Sequence, residues 1–206
     1  MADGTSGSTT DWPARFKTAA TAIISDNLDR LAGAVGLRPF HRGGTMAGTA
    51  FTIRTAAGDN RAIHEALELF RPGDVLVVDG GGDTSRALIG EIISTIAQQR
   101  GAAGMVIDGA IRDAGALARS DFPVFARVAI HRGPYKNGPG ETGVPVSIGG
   151  MVVHPGDIVV GDEDGVVAFS PEIAADLRAA VTAQEEKEEE ILKSVRDGTY
   201  RGAYAK

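Results

Sequence analysis

Between Gly73 and Ala126 the chain repeats one pattern: an apolar run, a turn rich in Asp and Gly, a stretch of helical spacing, then another apolar run. Val75 to Val78, Met105 to Ile107 and Val124 to Ala126 are short and lack polar alternation, which is how strands covered on both faces read. Between the first two, Ala87 to Gln99 carries Leu88, Ile92 and Ile96 on one stripe and Ile89, Ile93 and Ala97 on its neighbour, and stops at Gly101. Gly90 is the alternative start of that helix. Ala114 to Ala118 supplies a short helix before the third strand. Residues 73–126 are therefore expected to form a β-α-β-α-β unit with right-handed crossovers and a parallel sheet.

The flanking segments follow a different grammar. MADGTSGSTT is polar and small, with too little apolar surface to offset its ordering entropy, so residues 1–11 are expected to be a disordered tail and structure to begin near Trp12. Phe16 to Leu31 has helical spacing, with Ser25-Asp26-Asn27 as the expected break between two helices. Ala47 to Ile53 reads as a strand, and Ile63 to Phe70 as a short amphipathic helix stopped before Pro72. From Val128 to Phe169, short Val/Ile runs are punctuated by GP, NG, PG, TG and GG, which indicates hairpins or a meander. Ser170-Pro171-Glu172 is a helix start, with a capping hydroxyl, a proline in the first turn and an acid at the positive end of the dipole. That helix is expected to run to about Arg196 or Asp197. Its EEKEEE run, 185–190, reads from composition as a solvated face.

Two strand ends carry candidate chemistry. Glu91 is followed, after twenty residues, by Arg112-Asp113. Carboxylates and a guanidinium at such ends suit a divalent metal and a small organic anion. For Arg112 a salt bridge to Asp108 is the competing reading, and for Glu91 an exposed helix acid. His41, His64, His131 and His154 are scattered without HxH or HExxH spacing and read as surface or structural residues, which disfavours zinc. VVDGGGD at 77–83 lacks GxGxxG, so Asp79, the three glycines and Asp83 are expected to shape a loop rather than bind a dinucleotide. Ser85 and Ser147 have no GxSxG context.

Composition removes other classes. A net charge of -6 and a pI near 5.2 give no reason to bind nucleic acid or an anionic membrane. With no cysteine, thiol nucleophiles, disulfides and thiolate metal sites are excluded. No signal pattern or membrane-length apolar run is apparent, so a soluble cytoplasmic protein is expected.

The run GDVLVVDGGGD, the GE at 90–91 and VIDGAIRD resemble the RraA-like family, which includes class II 4-hydroxy-4-methyl-2-oxoglutarate / 4-carboxy-4-hydroxy-2-oxoadipate aldolases and the RNase E regulators. Ser25-Asp26, GTMAGTAFTI at 44–53 and PVSIGGMVVHPGDIVVGDEDGVVAF at 145–169 extend the resemblance over most of the chain. It implies an α/β fold, a swivelling β/β/α domain of RraA-like type with a C-terminal helix, assembled as a homotrimer or a dimer of trimers.

Further implications concern the site. Asp113 matches the family's ligand to a divalent ion, Mg²⁺ or, as its substitute, Mn²⁺. Arg112 matches the arginine on the substrate C2 oxygen. Gly90 and the amides of Glu91, Ile92 and Ile93 match a carboxylate cradle, and Glu91 an acid that orients a proton-carrying water. Lys136, 24 residues beyond Arg112, stands where the aldolases place a substrate-contacting lysine, with a free surface lysine as the alternative. Counting back nine positions from Gly198 makes Glu189 the match for a glutamate lent by a neighbouring subunit, with Glu186 and Glu188 as alternatives. With Lys206 as its last residue the chain lacks the longer tail of the dedicated aldolases, which points away from large dicarboxylic substrates. The activity implied is metal-dependent cleavage of a 4-hydroxy-2-oxo acid to pyruvate, with oxaloacetate decarboxylation through the same enolate. The alternative is a non-catalytic protein that binds and regulates a ribonuclease.

Overall fold

The computed structural model describes residues 11–30 and 33–202. The expected disordered tail, apart from Asp11, and Leu31 lie outside the described residues. In chain order the elements are α1 (Trp12–Phe16), α2 (Thr21–Asp26), β1 (Arg38–Pro39), β2 (Met46–Thr55), α3 (Arg61–Ala66), β3 (Asp74–Asp79), β4 (Ala87–Ile89), α4 (Glu91–Gln99) and β5 (Gly104–Ile111). There follow α5 (Ala114–Leu117), β6 (Val124–Ala129), β7 (Gly140–Thr142), β8 (Val146–Ile148), β9 (Met151–Val153), β10 (Ile158–Asp162), β11 (Gly165–Phe169), a 3₁₀ turn at Pro171–Ile173, and α6 (Ala174–Arg196).

β2, β3, β5 and β6 are neighbours and parallel. β10 joins β2 antiparallel, and β11 joins β10 as a hairpin, while β1 closes the other edge against β6. The apolar runs are continuous because each strand feeds two cores. Leu76, Val78, Met105 and Ile107 pack with α3 and α4 residues such as Ile63 and Ile93. Val75, Val77, Val106 and Phe125 pack against Val146, Ile148, Met151 and Val153 of the β8–β9 hairpin. Gly149 and Gly150, both at positive φ, make that hairpin's two-residue turn.

A third cluster lies along β10, β11 and the helices at both ends of the chain. There α6 buries only Ala174, Leu177 and Val181. Glu186 to Glu190 are exposed, as their composition suggests. Among the described residues no helix is long and apolar enough to cross a membrane.

Three expectations are corrected. Ala87 to Ile89 is not helix but strand: all three residues are buried, and they pair parallel with Ala110 and Ile111 of β5. The helical spacing of Leu88 was a coincidence of an apolar strand running into an apolar helix, and Gly90 is the N-cap. Secondly, the break in the N-terminal helical segment falls at 17–20, where Asp162 accepts hydrogen bonds from the Thr21 amide (2.8 Å) and hydroxyl (2.6 Å) and so starts α2 afresh. Ser25-Asp26 is the end of α2. Finally, Ser170 caps the Glu172 amide as expected, but the first turn is 3₁₀.

Candidate active site

β5 outruns β3. β3 ends at Asp79 opposite Asp108, whereas β5 continues to Ile111. The chain leaves β3 through Gly80-Gly81-Gly82, the last two at φ 68°, and comes back as β4 to occupy the vacant flank of β5. Asp79 and Asp83 serve this loop: Asp79 accepts the amides of Gly81 and Ser147, and Asp83 those of Ser85's backbone and hydroxyl. Neither lines the cavity described below.

Pairing of Ile89 with Ile111 brings Gly90-Glu91 and Arg112-Asp113 out of adjacent parallel strands side by side, and the Arg112 amide donates to the Ile89 carbonyl at 2.9 Å. The twenty-residue interval is thus the length of one helix and one strand. Asp113 sits at φ 57°, ψ 33°, in the left-handed region that Asp tolerates better than most side chains. Its Oδ2 accepts the Glu91 amide at 3.1 Å and lies 3.7 Å from the Arg112 Nε. Among the described residues no hydrogen bond reaches its Oδ1. Gly90 permits this approach: a Cβ there would collide with Asp113 Oδ2 and stand 2.9 Å from Arg112 Cγ.

These residues wall a cavity of about 260 Å³ whose lining includes Gly90, Ile92, Ile93, Arg112, Asp113 and Lys136. Lys136 is exposed, and it borders this cavity. Arg112 does not pair with Asp108, whose buried carboxylate is taken by the Arg127 guanidinium and the Gly149 amide. Instead its guanidinium lies against Gly133, close enough that a Cβ there would be 3.2 Å from its Nη1. Of the expected cradle, the Glu91 amide is already taken by Asp113 Oδ2, but the first intrahelical bond of α4 runs from Ser94 to Gly90, so the amides of Ile92 and Ile93 precede the helix's own ladder and suit an anion.

Two expected residues stand apart. Glu91 lines an adjoining hollow with Ser94, Gln98 and Arg119, between α4 and α5, rather than the cavity itself. Glu189 forms an exposed pair with Arg196 at 3.5 Å on α6, which packs at the β10–β11 end of the sheet, so within one chain it does not join the cavity. Gln184 donates to Glu188 on the same helix.

Two cavity residues were missed by sequence reasoning, Asn60 and His64. Asn60 is an N-cap that does not cap: its Nδ2 donates to the Leu88 carbonyl at 3.0 Å, and among the described residues its buried Oδ1 has no partner. His64 is exposed at the cavity rim, yet partial desolvation of its ring and, second, the Lys136 charge hold it below the usual histidine range. Their i, i+4 spacing puts both on one face of α3, a signal that was present in the sequence. Of the other histidines, His41 bonds Val124 and Gly44, and His131 lines a shallow hollow that also borders Arg112 and Asp113. Among the described residues no three His, Asp or Glu side chains cluster as a metal site.

Comparison with known proteins places this geometry. A family model described as RraA-like, Aldolase/RraA, matches residues 21–168. A Halalkalibacterium halodurans protein that carries the provisional name 4-hydroxy-4-methyl-2-oxoglutarate aldolase is 40% identical over 160 residues, 77% of this chain and 76% of its own. Among solved structures, the RNA-processing inhibitor RraA of Thermus is 34% identical with a TM-score of 0.67, covering 73% of this chain and 92% of that one. RraAS2 of Streptomyces coelicolor, described as an unusual member of the RNase ES inhibitor RraA family, has a TM-score of 0.80 at 26% identity, over 88% and 95% of the two chains. The strand-end pairing of Gly90-Glu91 with Arg112-Asp113 and the family model that spans most of the sequence lead to one assignment: the chain belongs to the RraA-like family.

Proposed function

We propose that this protein is a divalent-metal-dependent aldolase that cleaves a 4-hydroxy-2-oxo acid to pyruvate and a second oxo compound, and that decarboxylates oxaloacetate through the same pyruvate enolate. One observation carries the reading: Gly90, Ile92, Ile93, Arg112, Asp113 and Lys136, drawn from three separate stretches of chain, wall a single cavity. The provisional name of the Halalkalibacterium halodurans relative supports it.

Asp113 would hold the ion through its unengaged Oδ1. One carboxylate with water completing the shell suits Mg²⁺, which dehydrates reluctantly, better than zinc. When bound, the ion supplies Lewis acidity toward the carboxylate and C2 oxygen of the pyruvyl group. The chain's own groups then divide the work. The start of α4 receives the substrate carboxylate on the Ile92 and Ile93 amides. Arg112 directs its planar fork at the C2 oxygen, where negative charge accumulates as the C3–C4 bond breaks. Lys136, beside His64, would meet the substrate from the α3 side of the cavity. The proton of the C4 hydroxyl must leave as that bond breaks and one must return to C3, and Glu91, one hollow away, would relay it through water. A neighbouring subunit's Glu189, or one of Glu186 and Glu188, would complete the acid set in a trimer or dimer of trimers.

The test is pyruvate release from oxaloacetate. EDTA should reduce it to the background given by free metal, Mg²⁺ or Mn²⁺ should restore it, and borohydride with substrate should trap no lysine adduct. A trapped adduct would overturn the class II chemistry. A second reading, regulation of a ribonuclease by surface binding, is favoured by the 34% identity to the Thermus inhibitor. It becomes the better one if no metal yields pyruvate above background while the purified protein still inhibits RNase E.

A further inference from the structure

Lys136 lies in an otherwise irregular segment, 133–138, and nothing in Gly-Pro-Tyr-Lys-Asn-Gly would by itself hold a flexible four-carbon side chain over a cavity. The segment is tied down from α3's side. The Tyr135 amide donates to the Gly58 carbonyl (2.8 Å) and the Asn60 amide to the Tyr135 carbonyl (3.0 Å). Immediately after Lys136, the amides of Asn137 (2.9 Å) and Gly138 (2.8 Å) both donate to Oδ2 of Asp59. The other oxygen, Oδ1, accepts the Arg61 amide at 2.9 Å, at the first residue of α3. Asp59 is buried, and Gly138 approaches so closely that a Cβ there would be 2.9 Å from its Cγ. Among the described residues its carboxylate bonds only backbone amides, those of Arg61, Asn137 and Gly138, so it is not a substrate ligand.

We infer that Asp59 is a positioning residue: its carboxylate fastens the backbone after Lys136 to the start of α3, and thereby fixes Lys136 in register with Asn60 and His64 across the cavity. This rests on the reading of Lys136 as a substrate contact. The acid suits the task because one oxygen can accept two convergent amides while the other holds the helix, and charged acceptors make the stronger bonds. Burial alone would push its carboxyl up, but the amides of Arg61, Gly138 and Asn137 outweigh it and keep the pKa below the usual carboxylate value, so the group is ionised at neutral pH.

The experiment is a binding cycle with oxalate, a mimic of the pyruvate enolate, titrated into the Mg²⁺-loaded full-length protein. Lys136→Ala should weaken oxalate binding by roughly tenfold or more, the loss expected for one bond to a charged group. Asp59→Asn should weaken it by about the same order in the wild-type background and by nothing further in the Lys136→Ala background, since a positioning residue acts through the group it positions. In the same protein without ligand, the Asn137 and Gly138 amides should exchange hydrogen faster while strand amides do not. An Asp59→Asn loss that is equal in both backgrounds, or no loss in the first, overturns the inference and leaves Lys136 assigned. If Lys136→Ala binds oxalate normally, the assignment of Lys136 falls and this inference with it. Should Asp59→Asn fail to fold, Asn137→Pro deletes one donor and leaves the buried acid, and it must show the same dependence on Lys136.

Discussion

Asp113 Oδ2 accepts the backbone amide of Glu91 at 3.1 Å, so a carboxylate 22 residues downstream caps the N-terminus of α4. The helix gains an anion at its positive end, and Asp113 gains a fixed orientation in which Oδ1 is left for a ligand. Its left-handed backbone matters for choosing a variant, because alanine there adds a backbone cost of about 1–2 kcal/mol.

Asp113→Asn is therefore the cleaner test. It keeps the shape, a carbonyl oxygen for the Glu91 amide and tolerance of positive φ, but loses the charge. Metal affinity measured by titration should fall by about tenfold or more, while the melting temperature moves little, because a neutral cap still satisfies the helix. A variant that binds Mg²⁺ normally would remove Asp113 from the metal site.

Gly90→Ala separates site from fold in another way. The φ of Gly90 is -156°, an extended backbone open to any residue, so the substitution carries no backbone strain. Its Cβ meets Asp113 Oδ2 and Arg112 Cγ. Overpacking of this kind costs about 1–3 kcal/mol, which a folded domain tolerates, whereas displacing two site residues by about an ångström should lower kcat by roughly 10²-fold. Near-normal turnover in a folded Gly90→Ala protein would mean that Arg112 and Asp113 need not be where the structure holds them.

How far the sequence disclosed this arrangement follows from where each contact is made. Parallel strands and the Arg112-Asp113 exit were legible because each depends on residues within a turn or two, whereas the Gly90 helix start was only the alternative to one at Ala87, since Leu88 and Ile89 continue the helical spacing. β4 was not legible. Ala87-Leu88-Ile89 is too short to reveal a period, and its strand state comes from a vacancy beside β5 that exists only after β3 has ended. The same holds for Asn60, whose side chain leaves its local capping duty for the Leu88 carbonyl, and for Asp59, whose partners lie 78 and 79 positions away. Glu91 stood at a helix start only on the Gly90 alternative, and the hollow its side chain faces is set by α5, which spacing does not report.

His64 offers a reading of the cavity that needs no turnover. Partial desolvation first, and the Lys136 charge second, hold its pKa below the usual value. Removing the charge in Lys136→Ala should move the His64 titration upward, toward but not up to the ordinary value, because the partial desolvation persists. The ring-proton shifts of His64 against pH measure this directly, with His154 as an internal reference. An unmoved His64 would place Lys136 too far away to share the cavity in solution.

The last prediction tests assembly. Within one chain Glu189 pairs with Arg196 on an exposed stretch of α6, and the cavity lies beside β5, with β3, β2 and β10 between it and β11, which leads into that helix. If Glu189 serves a site, it must be another subunit's. Asp113→Asn and Glu189→Ala proteins, each inactive alone, should then regain partial activity when they are unfolded together and reassembled, since some interfaces unite an intact Asp113 with an intact Glu189. Recovery is possible only in an oligomer. Should Glu189→Ala be fully active by itself, Glu189 is no more than part of the solvated helix face, and the shared acid must be sought at Glu186 or Glu188 by the same exchange.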